Sequence, residues 1–243
     1  MNLTSPRISV CMTTYNGESF VHDQVASILP QLGSDDELII SDDGSTDRTL
    51  ELIEAFGDPR IQLYRSNFRD LIRNFEFALS RARGAIVFLS DQDDIWYDNK
   101  VAESLNKLEE CDLVFSNLNV FAERQSEGRL MYDMEKDHNG FRHNYVKNKC
   151  VGATMAFRSW ILDYALPFPA GIEMHDAWIF FLTTYYGKTR YIPQPLVYYR
   201  RHGANASNTG GRTANPLWKV IHIRLHWLYV LARRILKMGI RRR

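Results

Sequence analysis

The sequence predicts an α/β fold: a mostly parallel central sheet flanked by helices. Three observations carry that expectation. Strand and helix signals alternate with short connections through residues 1–116, the rhythm of right-handed βαβ units. The run Ala85-Ile-Val-Phe-Leu89 is uninterrupted by polar residues and reads as a strand buried on both faces. Carboxylates follow two such strands, Asp42/Asp43 and Asp91/Asp93/Asp94, at the edge where open α/β sheets bind ligands.

In order, Ile8–Thr14 is a strand ended by the turn Tyr15-Asn-Gly17, and Ser19–Leu29 carries a helical apolar stripe. Glu37–Ser41 is the second strand. It runs into Asp42-Asp-Gly-Ser-Thr-Asp47, where Ser45 or Thr46 is the expected cap of a helix from Arg48 to Phe56. Strands follow at Ile61–Arg65, Ala85–Leu89 and Leu113–Ser116, and helices at Leu71–Arg81 and Asp98–Glu110. From Glu123 to Asn148 the chain is polar and aperiodic and reads as loops over the site. Val151–Phe157 is a strand, Ser159–Leu166 a short helix, His175–Leu182 a helix start and Leu196–Arg200 the last strand. A Gly/Asn/Ser-rich loop, 203–215, leads to a final helix from Pro216 to Met238.

At 243 residues the chain suits one large domain or a domain with a tail. All 29 acidic residues lie at or before Asp176, with 17 of the 30 Lys and Arg, so residues 1–176 sum to −12 and 177–243 to +13. That split suggests a catalytic body and a tail addressed to an anionic surface. Three scattered cysteines, Cys11, Cys111 and Cys150, have neither metal-ligand nor disulfide spacing and are expected to be reduced core residues of a cytoplasmic protein. No signal-peptide core opens the sequence, and no apolar run reaches the roughly 18 residues of a spanning helix.

Three acids crowded at one strand tip repel one another, and a hard divalent cation is the usual compensation. Two converging acidic pairs with Tyr15-Asn16 describe a cleft for a nucleotide with a metal-bound diphosphate. There Asp42 or Asp43 would accept from a base or ribose, and Tyr15 would lie against the base. No Gly-x-Gly-x-x-Gly follows the first strand and no Gly-Lys-Ser/Thr loop exists, which argues against dinucleotide dehydrogenases and P-loop enzymes.

The segments Ile8-Ser-Val-Cys-Met-Thr-Thr-Tyr-Asn-Gly17, Ile40-Ser-Asp-Asp-Gly-Ser-Thr-Asp47 and Phe88-Leu-Ser-Asp-Gln-Asp-Asp-Ile-Trp96 resemble, in order and spacing, family 2 glycosyltransferases of the GT-A fold. The resemblance continues through Gly152-Ala-Thr-Met155, Met174-His-Asp-Ala-Trp178 and Tyr199-Arg-Arg-His-Gly203, and the His-Asp-Ala-Trp segment is similar to the bacterial rhamnosyltransferase-like subgroup. It implies a GT-A catalytic domain over 1–205, with a nucleotide-binding half (1–116) and an acceptor-binding half (117–205), followed by a loop and helix over 206–243. By position it makes Asp93 the metal-ligating acid, Asp91 its neighbour near ribose or metal waters, Asp43 the base-contacting acid and Asp176 the general base. His175 stands where the family more often has Glu, and His202 matches a histidine that helps hold the metal or diphosphate. Thr13, Tyr15, Asn16, Asp42, Arg73 and Gln92 are candidates for the nucleotide side; Arg73 and Asn74 either reach the diphosphate or lie on a solvated helix face. Asp94, Trp96, Gly152, His175 and Trp178 are candidates around the acceptor or sugar, with buried packing the alternative for Trp178.

The implied activity is inverting transfer, with Mn²⁺ or Mg²⁺, from a dTDP- or UDP-sugar to a hydroxyl of a growing lipid-linked surface glycan; rhamnose is the subgroup's suggestion. A sugar-nucleotide nucleotidyltransferase would carry a Gly-rich basic loop after the first strand, which Thr13-Thr-Tyr-Asn-Gly17 is not. A catalytically silent nucleotide- or carbohydrate-binding protein would not need Asp43, Asp93 and Asp176 together. The tail combines Lys219, His222, His226, Arg233 and Lys237 on one helical face with Leu, Ile and Trp elsewhere, a pattern suited to an anionic membrane at the inner face of the cell membrane. The alternative is a helix packed on the body. No nucleic-acid-binding motif is present, so nucleic acid is not an expected partner. On the membrane reading, a chain ended at Asn215 should stay soluble and active.

Overall fold

The computed structural model describes residues 8–122, 124–132, 150–203 and 217–239. Most of the expected loop segments 123–148 and 203–215, and Arg241–Arg243, lie outside them.

The strands are β1 (Ile8–Thr14), β2 (Glu37–Asp42), β3 (Ile61–Arg65), β4 (Ile86–Ser90), β5 (Ile95–Trp96), β6 (Leu113–Phe121), β7 (Arg129–Leu130), β8 (Met155–Arg158) and β9 (Thr189–Arg200). They form one sheet in the order β3-β2-β1-β4-β8-β6-β9-β5, with β7 on β6. The helices are α1 (Val21–Ile28), α2 (Thr49–Glu54), α3 (Leu71–Leu79), α4 (Lys100–Leu108), α5 (Leu162–Ala165), α6 (His175–Tyr186) and α7 (Leu217–Met238).

The first four strands in that order are parallel, as the alternating pattern predicts. β8 is antiparallel to both β4 and β6. β6 ends at the carboxyl edge and the chain re-enters from that same edge, which sets Gly152 beside the acidic strand tips. β6 and β9 are longer than the sequence suggests. Pro193 and Pro195 disguise β9, and Pro195 is accommodated where the β6–β9 register shifts beside Asn117. The division expected at 116/117 falls inside β6.

Side-chain alternation along the strands splits the core into two layers. Cys11, Val87, Leu89, Phe115 and Phe157 face α3, α5, α6 and α7. Val10, Met12, Ile40, Phe88 and Val114 face α1, α2 and α4. All three cysteines are buried, as expected of core residues. Ser45 and Thr46 do not cap α2: Ser45 Oγ donates to Asp42, and Asp47 accepts from the Thr49 N–H at 3.0 Å.

The tail departs most from expectation. Trp227, Val230 and Leu231 of α7 are buried in the same layer as Trp178 and Phe181 of α6, and Arg234 donates to the carbonyls of Tyr164 (2.7 Å) and Leu166 (3.2 Å). Removing α7 would uncover that layer, so the soluble chain expected to end at Asn215 is not supported. Among the described residues no helix is long and apolar enough to cross a membrane.

Candidate active site

β1 lies between β2 and β4, so successive crossovers leave it in opposite directions and open a crevice at their carboxyl ends. The register brings the tips level, Thr14 beside Asp42 and Met12 beside Ser90. A cleft of about 580 Å³ sits there, lined by Thr13, Tyr15, Asp43, Asp91, Gln92, Asp93, Gly152, His175 and Asp176 among the expected residues.

Backbone clamps shape the side formed by β1 and β2. Gln92 accepts from the Tyr15 N–H at 2.9 Å and donates to the Tyr15 carbonyl at 3.0 Å, presenting the exposed Tyr15 ring to the cleft. A Cβ at Gly17 would stand 2.3 Å from Gln92 Oε1, so a side chain there would displace the Gln92 amide from its clamp on Tyr15. Asp43 accepts from the backbone N–H groups of Phe68, Arg69 (3.0 Å) and Asp70 (2.9 Å). It thereby holds the loop that carries Arg69, at φ 50°, on the cleft wall. Asp70 then caps α3, accepting from the Ile72 and Arg73 N–H groups.

At the β4 tip, His202 Nε2 lies 2.7 Å from Asp93 Oδ2, and its ring stacks on Phe20. Burial, then the Asp93 and Asp176 charges, push Asp91 up to about 7. Carboxylate oxygens with one imidazole suit a hard divalent cation such as Mn²⁺ or Mg²⁺. No group of three His, Cys, Asp or Glu side chains among the described residues converges as a complete cage. Protein donors at Asp93 and His202 would thus leave positions for other oxygens.

Across the cleft, α6 begins with His175 and Asp176. Asp176 Oδ2 accepts from the Gly152 N–H at 2.8 Å and Oδ1 from the Ala177 N–H at 2.6 Å. Burial raises its carboxyl to about 6, against the pull of those two donors. A Cβ on Gly152 would meet Asp176 Cβ and His175 Nε2 at 3.3 Å, so glycine allows this close approach. His175 stacks on Phe75 at 3.8 Å between centroids, and burial lowers it to about 3, leaving a neutral imidazole at neutral pH.

Seven expected residues do not line the cleft, and one of them, His202, reaches it only through Asp93. The Asp42 carboxylate is occupied by Thr14 Oγ1 and by the Gly44 and Ser45 N–H groups, so it builds the loop. Asn16 accepts from the Thr46 N–H and ties β1 to that loop. Arg73 points outward and lies over Phe68, whereas its neighbour Asn74 lines the cleft and also donates to the Ser41 carbonyl. Asp94 is buried behind the tip and accepts from the Arg200 N–H at 3.0 Å. Trp96 packs on Phe88, and Trp178 is fully buried with its indole N–H on the Ala165 carbonyl. A hydroxyl-rich ligand in the cleft touches neither tryptophan.

Arg69, Tyr199 and Met174 line the cleft without having been singled out. Asp70, placed just before the apolar stripe of α3, is the cap signal that would have marked the Arg69 loop. Lys100 was also missed. It is fully buried, its Nζ donates to the Ala153 carbonyl at 2.5 Å, and it lies over the Trp96 ring. Burial lowers it to about 7.

A mostly parallel α/β sheet with acids converging at its switch point is the place where open α/β proteins bind ligands. Residues 9–163 match the sequence model of glycosyl transferase family 2, and the chain belongs to that family. It is 26% identical over 215 residues to an uncharacterized glycosyltransferase of Nostoc sp., covering 82% of this chain and 66% of that protein. It is 34% identical over 123 residues to the dTDP-rhamnosyl transferase RfbG of Shigella flexneri, covering 46% and 39%. Against the Escherichia coli UDP-Glc:alpha-D-GlcNAc-diphosphoundecaprenol beta-1,3-glucosyltransferase WfaP, it is 30% identical over 118 residues, 48% of this chain and 47% of that protein. The chain thus spans between about two fifths and two thirds of these relatives. The S. aureus TarS 1–349 structure in complex with UDP-GlcNAc superposes with a TM-score of 0.71 at 18% identity, covering 91% of this chain and 66% of that one. The fold is GT-A.

Proposed function

We propose that this protein transfers a sugar from a nucleotide-diphosphate donor to a hydroxyl acceptor with inversion. The observation that carries the reading is Asp176: a buried carboxylate, oriented by two backbone N–H groups, in one cleft with Asp91 and Asp93. In the transfer, the acceptor hydroxyl gives its proton to Asp176 as its oxygen bonds to the anomeric carbon. The bond from that carbon to the diphosphate oxygen breaks, and its electron pair leaves with the nucleotide diphosphate. Tyr15 and the Arg69 wall hold the nucleotide, and Gly152 and His175 border the acceptor. A Mn²⁺ or Mg²⁺ ion held by Asp93 and His202 would offset charge on the departing diphosphate.

A dTDP- or UDP-sugar donor is supported by what RfbG and WfaP are named for, and a lipid-linked glycan acceptor by WfaP. Rhamnose rests on RfbG alone. Buried cysteines without a disulfide between them accord with a reducing, cytoplasmic setting.

The test pairs two variants. Asp176→Asn should keep donor affinity and lower turnover by about 10²–10⁴-fold. Asp93→Asn should lose Mn²⁺-dependent donor binding by calorimetry while staying folded. Intact turnover in Asp176→Asn would remove the assigned base; unchanged donor affinity with Mn²⁺ in Asp93→Asn would remove the metal assignment.

A further inference from the structure

α7 has two apolar faces, and only one is used by the body. Trp227, Val230 and Leu231 face inward, whereas Ile221, Leu225, Leu228, Tyr229 and Leu236 are exposed, Leu225 at 60% and Leu236 at 83%. At about 100° per residue the exposed five fall within an arc of roughly 100°. His222, Arg233 and Lys237, all exposed, follow along one edge of it. We propose that this outward face docks on an anionic lipid bilayer.

Charge selects the occupant. α7 carries no acid and sets the exposed Arg233 and Lys237 along this face, so a surface that meets it meets net positive charge. A second copy laid antiparallel against it would set basic edge against basic edge. A nucleic acid would match the charge but leave the five apolar side chains in water. A bilayer satisfies both parts, headgroup phosphates along the basic edge and acyl boundary beneath the apolar arc.

The position of α7 ties this surface to the acceptor side of the transfer proposed above. Gly171, at φ 79°, packs under His226, with the imidazole 3.2 Å from where a Cβ would stand. Two and three residues on, Glu173 and Met174 line the cleft, and Met174 is exposed. A bilayer under α7 therefore lies next to the rim through which a lipid-linked acceptor would enter.

The experiment uses the full chain and a Leu225→Gln/Leu228→Gln/Leu236→Gln variant, whose changed side chains are outside the core. Both are sedimented with vesicles of phosphatidylcholine alone or mixed with phosphatidylglycerol, at low and high salt. The parent should partition onto the mixed vesicles, bind the neutral ones weakly and lose part of its binding in salt. The variant should bind on the order of 100-fold more weakly with an unchanged melting temperature. No vesicle binding by the parent, or equal binding by the variant, overturns the proposal. So does a parent dimer that the variant converts to monomer, which would make the face an interface between copies. Donor binding on the same preparations reads the catalytic proposal separately, since none of the three changes touches the cleft.

Discussion

Asp176 shows how a single residue can work against the stability of its own fold. Its carboxyl is raised to about 6 from an ordinary value of 3.8, so folding favours the neutral form. Stability from this group is fully present below the unfolded value and is lost as pH rises through about 6. Proton acceptance needs the ionised form, so turnover should fall as pH drops through about 6, which a pH–rate profile would show. Asp176→Asn removes the ionisation, so its stability relative to the parent should rise by about 1–3 kcal/mol from pH 4 to pH 8. That rise sits on top of a pH-independent loss, because its amide nitrogen cannot accept from one of the two backbone N–H groups. Melting curves at pH 8 and pH 4 check this: a difference from the parent that does not change with pH would reject the sign. The raised carboxyl itself was not legible in the sequence. Asp176 stood out there by its motif, but its burial depends on Gly152, twenty-four residues away, and on the Phe75–His175 stack.

At the scale of elements, α7 and α6 are one packing unit. Trp227 meets Trp178 and Phe181 at 6.4 and 5.8 Å between ring centroids. Trp227→Ala should cost about 3–5 kcal/mol in urea unfolding, the usual penalty for emptying a buried aromatic site. Because α6 opens with Asp176, activity should fall along with stability. A loss under 1 kcal/mol would mean that α7 only rests on the body. The sequence showed α7 to be amphipathic and basic, yet its apolar residues cover two arcs, and periodicity does not say which one meets protein. The early elements were legible for the opposite reason. Ile8–Thr14 and Ile61–Arg65 match the sequence expectation end to end, because strands inside βαβ units are bounded by turns. β9 was only half seen, since prolines at a bulge resemble a break.

For the molecule as a whole, the notable feature is β8, hydrogen-bonded to β4 on one side and β6 on the other. One unbroken ladder therefore runs beneath both walls of the cleft. Two bodies joined by a linker can shut like jaws, but a sheet shared by both walls has no hinge line between them. Bending it would break several ladder bonds at once. Small-angle scattering with and without a nucleotide diphosphate and Mn²⁺ should give the same radius of gyration to within about 0.5 Å, far less than hinge closure of two domains produces. A larger contraction would require the strands to part. With no hinge line, substrate order would be imposed by which side chains the first ligand leaves uncovered, so a donor bound at the strand tips would itself complete the floor on which the acceptor lands.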